Sequence, residues 1–372
     1  AQQTINLRDA DIRAYIQDVA RATGLDPKDV ADVVEALHAD GVLEDAPAVL
    51  SALGADLLVI DQIDLATHAV AAQLGVPFVT VCCCLLMNED AHQPVWNVEP
   101  APDPPALTPG NRRWRAFVRH LLDPYVERAQ RFRERAGVGR VASLGDFWSP
   151  LAQISQQPEG LEFPRTLPPH FHFAGPFANP AAREPVPFPW ERLDGRPLVY
   201  AAFGSQVNGD LQRAVAIAEA CRRLDAQLVL SFGGAAPPDA LSSLPGTPVV
   251  VAYAPQLELL GRARAMVTHA GLNSVLECLM RGVPMVAIPI TNDEPAIAAR
   301  LARAGVGVVV PPEACDVARL EAALAAVVFG DDVREATARL QRDIGAGGLG
   351  RAGDIIDEVL ATGRPVLRES AA

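Results

Sequence analysis

The sequence predicts an α/β protein built from two Rossmann-like domains, and three observations predict it. From residue 197 onward six short apolar runs, PLVYAAFG, QLVLSFG, PVVVAYA, AMVTHAG, PMVAIPI and VGVVV, alternate with helical segments such as DLQRAVAIAEACRRL. The runs are apolar throughout rather than every second residue, as strands of a parallel sheet covered on both faces must be. Nearer the start, DLLVID (56–61) and PFVTVCC (77–83) flank the helical pattern LATHAVAAQLG, which makes one βαβ unit. Finally, 372 residues exceed the size at which one hydrophobic core usually stops growing.

Taken in order, residues 8–52 are helical in pattern and show no strong strand. Two strands make a poor sheet, so the amino-terminal domain is either unusual or lacks its first strands, which would precede residue 1. Cys82, Cys83 and Cys84 are neighbours on the second strand and point alternately to opposite faces, so they cannot all ligate one metal. The six cysteines are expected to be buried, reduced thiols. Nine prolines between 164 and 197 exclude a helix or central strand there, so that tract reads as extended. The expected organisation is an amino-terminal domain over 1–178, a linker over 179–196 and a carboxy-terminal domain over 197–372. GAGGLG at 345–350 satisfies the dinucleotide fingerprint G-x-G-x-x-G but follows a helical pattern, Val333, Ala336, Leu340 and Ile344, instead of a strand. It is expected to be a loop between two helices.

The formal charge of −13 leaves no basic surface to displace counterions from a nucleic acid, which is excluded as a partner. The longest apolar stretches fall well short of the about 20 residues of a membrane helix, and no signal segment opens the chain. A cytoplasmic location is expected. The chain begins AQQTINLRD without an initiator Met, which suggests a boundary or truncation.

The most informative stretch is AMVTHAGLNSVLE (265–277). A buried strand ends near Thr268, Gly271 lets the chain turn sharply, and a helix starts at about Asn273 and stops before Gly282 and Pro284. Unbonded amides and the positive end of the helix dipole then face the carboxyl edge of the sheet, where a diphosphate is the natural ligand. Each residue also has a plainer role. Asn273 and Ser274 suit helix caps, His269 a satisfied core histidine, and Glu277 a first-turn carboxylate. Glu277 lies one turn beyond Asn273 on the same face, where a carboxylate can accept two hydrogen bonds from a ribose diol.

The segment YAPQLELL…VTHAGLNSVLE…GVPMVAIPITNDEP (253–295) resembles the donor signature of the GT-B nucleotide-sugar glycosyltransferases, the class that includes plant and macrolide UDP-glycosyltransferases. SPLAQISQ, LEFPR and DIIDEVLATGRPVL resemble, more narrowly, bacterial zeaxanthin glucosyltransferases of carotenoid biosynthesis. The resemblance implies a GT-B fold of two Rossmann-like domains facing a central cleft. It implies that Tyr253 stacks on uracil, where plant members more often have Trp, with Ala254 and Gln256 beside base and ribose. It places His269, Asn273, Ser274 and Ser205 on the phosphates, with Gly271 leaving room, Glu277 on the ribose, and Asp293 on the sugar hydroxyls. Glu294 departs from the family's usual Gln and loses its two N–H donors.

The implied reaction inverts the anomeric centre: an acceptor hydroxyl attacks the sugar C1 as UDP leaves, with no metal or other cofactor, UDP-sugar being the donor substrate. The implied general base is a His after the first strand, oriented by an Asp that Asp61 matches; Asp61 also suits a loop or capping role. The His has no match, and its loop belongs upstream of residue 1; His38, His68 and His92 are substitutes, the first two better suited to packing or surface. The acceptor would lie between the domains near Trp96 and Val98, although an ordinary surface loop is the plainer reading of that segment. The narrow resemblance implies a carotenoid such as zeaxanthin, drawn from a membrane by peripheral contact at its inner face. A macrolide or other small hydrophobic alcohol, a binding protein without catalysis, and an epimerase remain as alternatives.

Overall fold

In a computed structural model the described residues are 42–179, 183–203, 211–232, 244–345 and 347–368. The chain separates into two compact units, Ala1–Val79 with Arg119–Ser149, and Thr80–Val118 with Pro150–Ala372.

The first unit holds a helical segment over 42–53, strand β1 (Leu58–Asp61) and helix α1 (Leu65–Leu74). The rest of the expected helical region 8–52 lies outside the described residues. Asp64 caps α1, accepting from Thr67 N at 3.0 Å, and Gly75 ends it at φ 66°. Strand β2 (Phe78–Cys82) completes the βαβ unit. Cys82 is its last residue, so Cys83 and Cys84 follow the strand instead of lying on it. The expectation of buried thiols is corrected: none of the six cysteines is in a disulfide, but Cys83 and Cys84 are exposed and Cys315 is partly so.

Two strands were not legible in the sequence. Strand β3 (Gln153–Ser155) pairs parallel with β2, Thr80 opposite Gln153, and β4 (Phe171–Phe173) pairs parallel with β3, Gln153 opposite Phe171. The sheet order is β1-β2-β3-β4. Each added strand has three residues with polar ones among them, QIS and FHF, so neither shows the apolar run that marks the equally short strands Val249–Val251 and Met285–Ala287, and β4 lies inside the tract read as extended. β4 itself contains no proline and fits between Pro169 and Pro176 at the sheet edge. Helix α2 (Pro109–Arg135) lies between β2 and β3 in the chain.

All six predicted carboxy-terminal strands form: β5 (Leu198–Ala202), β6 (Gln227–Ser231), β7 (Val249–Val251), β8 (Ala265–Thr268), β9 (Met285–Ala287) and β10 (Gly307–Val309). Every pairing is parallel, in the order β10-β9-β8-β5-β6-β7, the doubly wound arrangement whose direction reverses between β5 and β8. Along β5 the pleat sends Leu198, Tyr200 and Ala202 into one core and Val199 and Ala201 into another. Helices α5 (Leu272–Arg281), α6 (Glu294–Ala304) and α8 (Asp331–Ile344) cover the first face. Helices α3 (Leu211–Arg223) and α7 (Val317–Phe329) cover the second. This double cover is why the strands read as continuous apolar runs. A short helix α4 (Gln256–Leu260) precedes β8, and α9 (Gly348–Thr362) follows α8. Of the G-x-G-x-x-G match, Gly345 and Gly347 lie between α8 and α9 as expected, Ala346 lies outside the described residues, and Gly348, Leu349 and Gly350 already belong to α9, where Gly348 packs so tightly that a Cβ would stand 1.8 Å from the Gly175 carbonyl oxygen.

Candidate functional site

The junction after β8 lies at the point where strand order reverses, the usual binding position in an open α/β sheet. The turn is made differently from the sequence expectation. Gly271 has φ −59° and ψ 132°, open to any residue, while the left-handed backbone falls on Ala270 at φ 72°. A left-handed alanine costs about 1–2 kcal/mol. Ala270 is fully buried, its N–H donating to Thr268 Oγ1 at 3.2 Å. Gly271 is required for space: a Cβ there would stand 2.5 Å from His269 Nε2. The missing side chain makes room for the His269 ring.

His269 is mostly buried, and its Nδ1 has no hydrogen-bond partner among the described residues. Burial holds its pKa below the usual value, with the Ala202 carbonyl and the Asp293 charge pulling weakly the other way. The imidazole is therefore neutral at pH 7. Gly271 occupies the N-cap position of α5, so no side chain caps the first-turn amides of Leu272, Asn273 and Ser274. This corrects the capping role of Asn273 and Ser274, which lie inside the helix. Glu277 is also beyond the first turn and is 5% exposed. Its Oε2 accepts from Gln256 Nε2 at 2.8 Å and its Oε1 pairs with the Arg183 guanidinium. Gln256 Nε2 also approaches Ser274 Oγ at 3.4 Å, so Gln256, Ser274 and Glu277 form one polar cluster.

Tyr253, 56% exposed, and Ala254, buried, precede Gln256 at the start of α4. Asp293 is the N-cap residue of α6 but makes no capping bond with its side chain; burial, and then the neighbouring Glu294 charge, raise its pKa. Glu294 Oε2 accepts from the N–H groups of Ile290 at 2.6 Å and Thr291 at 2.8 Å, closing the loop ahead of α6. Pro295 falls in the first turn of α6, where its missing N–H costs no helical hydrogen bond. Ser205 and His38 lie outside the described residues.

In the first unit Asp61 ends β1 and accepts from Ile63 N at 3.0 Å, the local turn of its plainer reading. His68 is a packing residue: 1% exposed, its Nδ1 donating to the Asp64 carbonyl at 2.6 Å and its ring edge-on to Phe78. His92 is half-buried in the second unit, and its backbone N–H donates to Asp90 Oδ1 at 2.8 Å.

Sequence reasoning missed a buried charge cluster in the second unit. Arg300 of α6 uses all five of its N–H donors: Nε and Nη2 on Glu162 at 3.0 and 2.7 Å, Nη1 on the carbonyls of Asn97 and Ala296 at 3.1 and 2.9 Å, and Nη2 on Asn97 Oδ1 at 2.8 Å. Arg165 Nη2 shares Glu162 Oε1 at 2.9 Å, and its Nη1 donates to the Asn88 carbonyl at 2.7 Å. The cluster holds the segment 88–98 inward. Asn88, Gln93, Val95 and Asn97 are buried, and Trp96 and Val98 pack half-buried on the core, which corrects the expectation of a surface loop. One signal was available: Arg300 lies on the apolar stripe Ala296, Ile297, Leu301 of α6, where a lone charge must find a partner.

Among the described residues no helix is long and apolar enough to cross a membrane. Residues 151–344, just over half of the chain, match the family described as UDP-glucoronosyl and UDP-glucosyl transferase. Over 334 residues the chain is 33% identical to the zeaxanthin glucosyltransferase of Pseudescherichia vulneris, covering 87% of this chain and 78% of that protein. It is 29% identical over 339 residues to the zeaxanthin glucosyltransferase of Pantoea ananas, covering 89% and 78%. The solved structure of the glycotransferase of kitacinnamycin superposes with a TM-score of 0.69 at 26% identity, covering 86% of this chain and 80% of that one. The two parallel sheets match the GT-B glycosyltransferases, as the sequence led us to expect. By both the family match and the similarity to relatives over most of their length, the chain belongs to the UDP-glucoronosyl and UDP-glucosyl transferase family and is a glycosyltransferase.

Proposed function

We propose that the protein transfers glucose from UDP-glucose, with inversion at C1, to a hydroxyl of an apolar acceptor, a carotenoid such as zeaxanthin. The observation that carries this reading is the junction at 269–277: a neutral, partly buried His269 beside an uncapped helix N-terminus, close to a buried carboxylate. Two relatives named zeaxanthin glucosyltransferase support the acceptor class and the sugar.

In this reading Tyr253 stacks on uracil beside Ala254 and Gln256, and the ribose hydroxyls replace Arg183 and Gln256 as donors to Glu277. The first-turn amides of α5, His269, Asn273 and Ser274 receive the diphosphate, joined by Ser205. Their N–H groups and the helix dipole stabilise the charge that builds as the bond from C1 to the phosphate oxygen breaks. Asp293 and Glu294 hold the sugar hydroxyls. Glu294 has Oε2 committed to two backbone amides, so toward the sugar it can only accept. The acceptor oxygen attacks C1 from the face opposite UDP and gives its proton to a general base that Asp61 orients. A long polyene substrate is taken up at a membrane surface by peripheral contact.

Calorimetric titration with UDP and UDP-glucose tests the donor site. Glu277→Ala removes charge-assisted bonds of about 1.5–3 kcal/mol, so affinity should fall about 10–150-fold. Formation of a zeaxanthin glucoside from UDP-glucose tests the acceptor. A folded wild-type chain that binds neither nucleotide refutes the proposal.

A further inference from the structure

Asn273 stands exposed in the first turn of α5, and its amide can present either an acceptor oxygen or two N–H donors. Gln156, immediately after β3, decides which. Its backbone N–H donates to the Cys82 carbonyl at 3.3 Å, and its side-chain Nε2 donates to the Cys83 carbonyl. A carbonyl can only accept, so this contact fixes the NH2 end of the Gln156 amide. The same NH2 reaches Asn273 Oδ1 at 3.1 Å across 117 residues of sequence. Asn273 therefore commits its oxygen to Gln156 and retains Nδ2, with two N–H groups and no other partner among the described residues. Gln156 is 6% exposed and pinned at both backbone and side chain, so it is the more rigid member of the pair.

We propose that Gln156 is a positioning residue that locks the Asn273 amide with its donors toward the diphosphate. This rests on the donor-site reading above. With the amide reversed, Asn273 would set an acceptor oxygen against phosphate oxygens and oppose binding. The chemistry of the nucleotide's anionic half is thereby set by a residue remote from the strand–helix junction in sequence.

Gln156→Glu keeps the shape but offers only acceptors, so Asn273 must turn its NH2 inward. UDP affinity should fall about 10-fold or more while uridine affinity is unchanged, both read by calorimetric competition. In an Asn273→Ala background the same substitution should have no further effect on UDP. Gln156→Met, which removes the donor without adding charge, should lower UDP affinity about 2–3-fold by leaving both amide orientations populated, and it serves if Gln156→Glu does not fold. Equal weakening of uridine and UDP, or a full Gln156→Glu effect without Asn273, would overturn the assignment. Failure of the wild type to bind UDP instead removes the donor reading itself, and this assignment with it.

Discussion

Glu162→Gln is the perturbation whose cost is best defined by the structure. The carboxylate lies between two guanidiniums, 2.7 Å from Arg300 and 2.9 Å from Arg165, and all three side chains are no more than 2% exposed. An amide of the same size keeps one acceptor oxygen, and its NH2 would face arginine donors either way: Arg300 Nε from the Oε2 position, or Nη2 of both arginines from the Oε1 position. Two buried cations would share no counter-charge. Removing one partner of a buried pair costs about 3–5 kcal/mol, a large part of a total stability of about 5–15 kcal/mol. With an m-value of about 3 kcal/mol/M, the urea midpoint should fall by roughly 1–2 M at pH 7. The loss should also depend on pH. Burial alone would raise the Glu162 pKa, but the charges of Arg300 and Arg165 outweigh it and hold the carboxyl below the usual range. A carboxyl depressed in the folded state contributes fully above its unfolded value, near 4.5, and loses that contribution as pH falls through the folded value. The gap between wild type and variant should therefore be complete at pH 7 and narrow below about pH 4.5. A gap under about 1 kcal/mol at pH 7 with an unchanged m-value would refute the view that this cluster secures the segment 88–98 to α6.

Two further outcomes test the site and its surroundings. Gly271→Ala puts a Cβ 2.5 Å from His269 Nε2 in a backbone conformation that alanine accepts. The ring must move, so calorimetry should show UDP affinity lower by about 10-fold, while urea unfolding changes by less than about 1 kcal/mol. Unchanged affinity would place the ring outside the donor site. Burial lowers the pKa values of His68, His172 and His269, so each is neutral in the folded chain near pH 7. The unfolded chain then takes up the protons first, and stability is retained above about pH 6.5 and falls below it by up to about 1.4 kcal/mol per pH unit for each histidine. Urea midpoints between pH 7 and 5.5 should show that slope, and His68→Gln should reduce it by one group. The raised pKa values of Asp293 and Glu294 act in the opposite direction, the native state gaining their protons first as pH falls.

The sequence showed the carboxy-terminal sheet clearly because both of its faces are covered. Every residue of Leu198–Ala202 and Ala265–Thr268 is buried and all but Thr268 are hydrophobic, so a continuous run is visible without any knowledge of partners. The junction was visible for a similar reason: His269, Gly271, Asn273 and Glu277 are fixed by local geometry within nine residues. Strands β3 and β4 were hidden because QIS and FHF carry polar residues and form no apolar run, unlike the equally short β7 and β9, and only their pairing, Thr80 opposite Gln153 and Gln153 opposite Phe171, reveals them.

The amino-acid sequence by itself determined the parallel α/β class, the six-strand run, the helix stops at glycines such as Gly282, and the residues gathered around the candidate donor site. Only the tertiary structure decided that Ala270 and not Gly271 bears the left-handed backbone, because Gly271 is needed for the His269 ring. Only tertiary structure, likewise, decided that Arg300 meets Glu162 and Asn97, and that Gln156 sets the direction of the Asn273 amide. Periodicity and capping depend on neighbours a few residues away along the chain. The pairing of buried charges and the orientation of an amide depend on groups 117 to 203 residues distant, which no local pattern encodes.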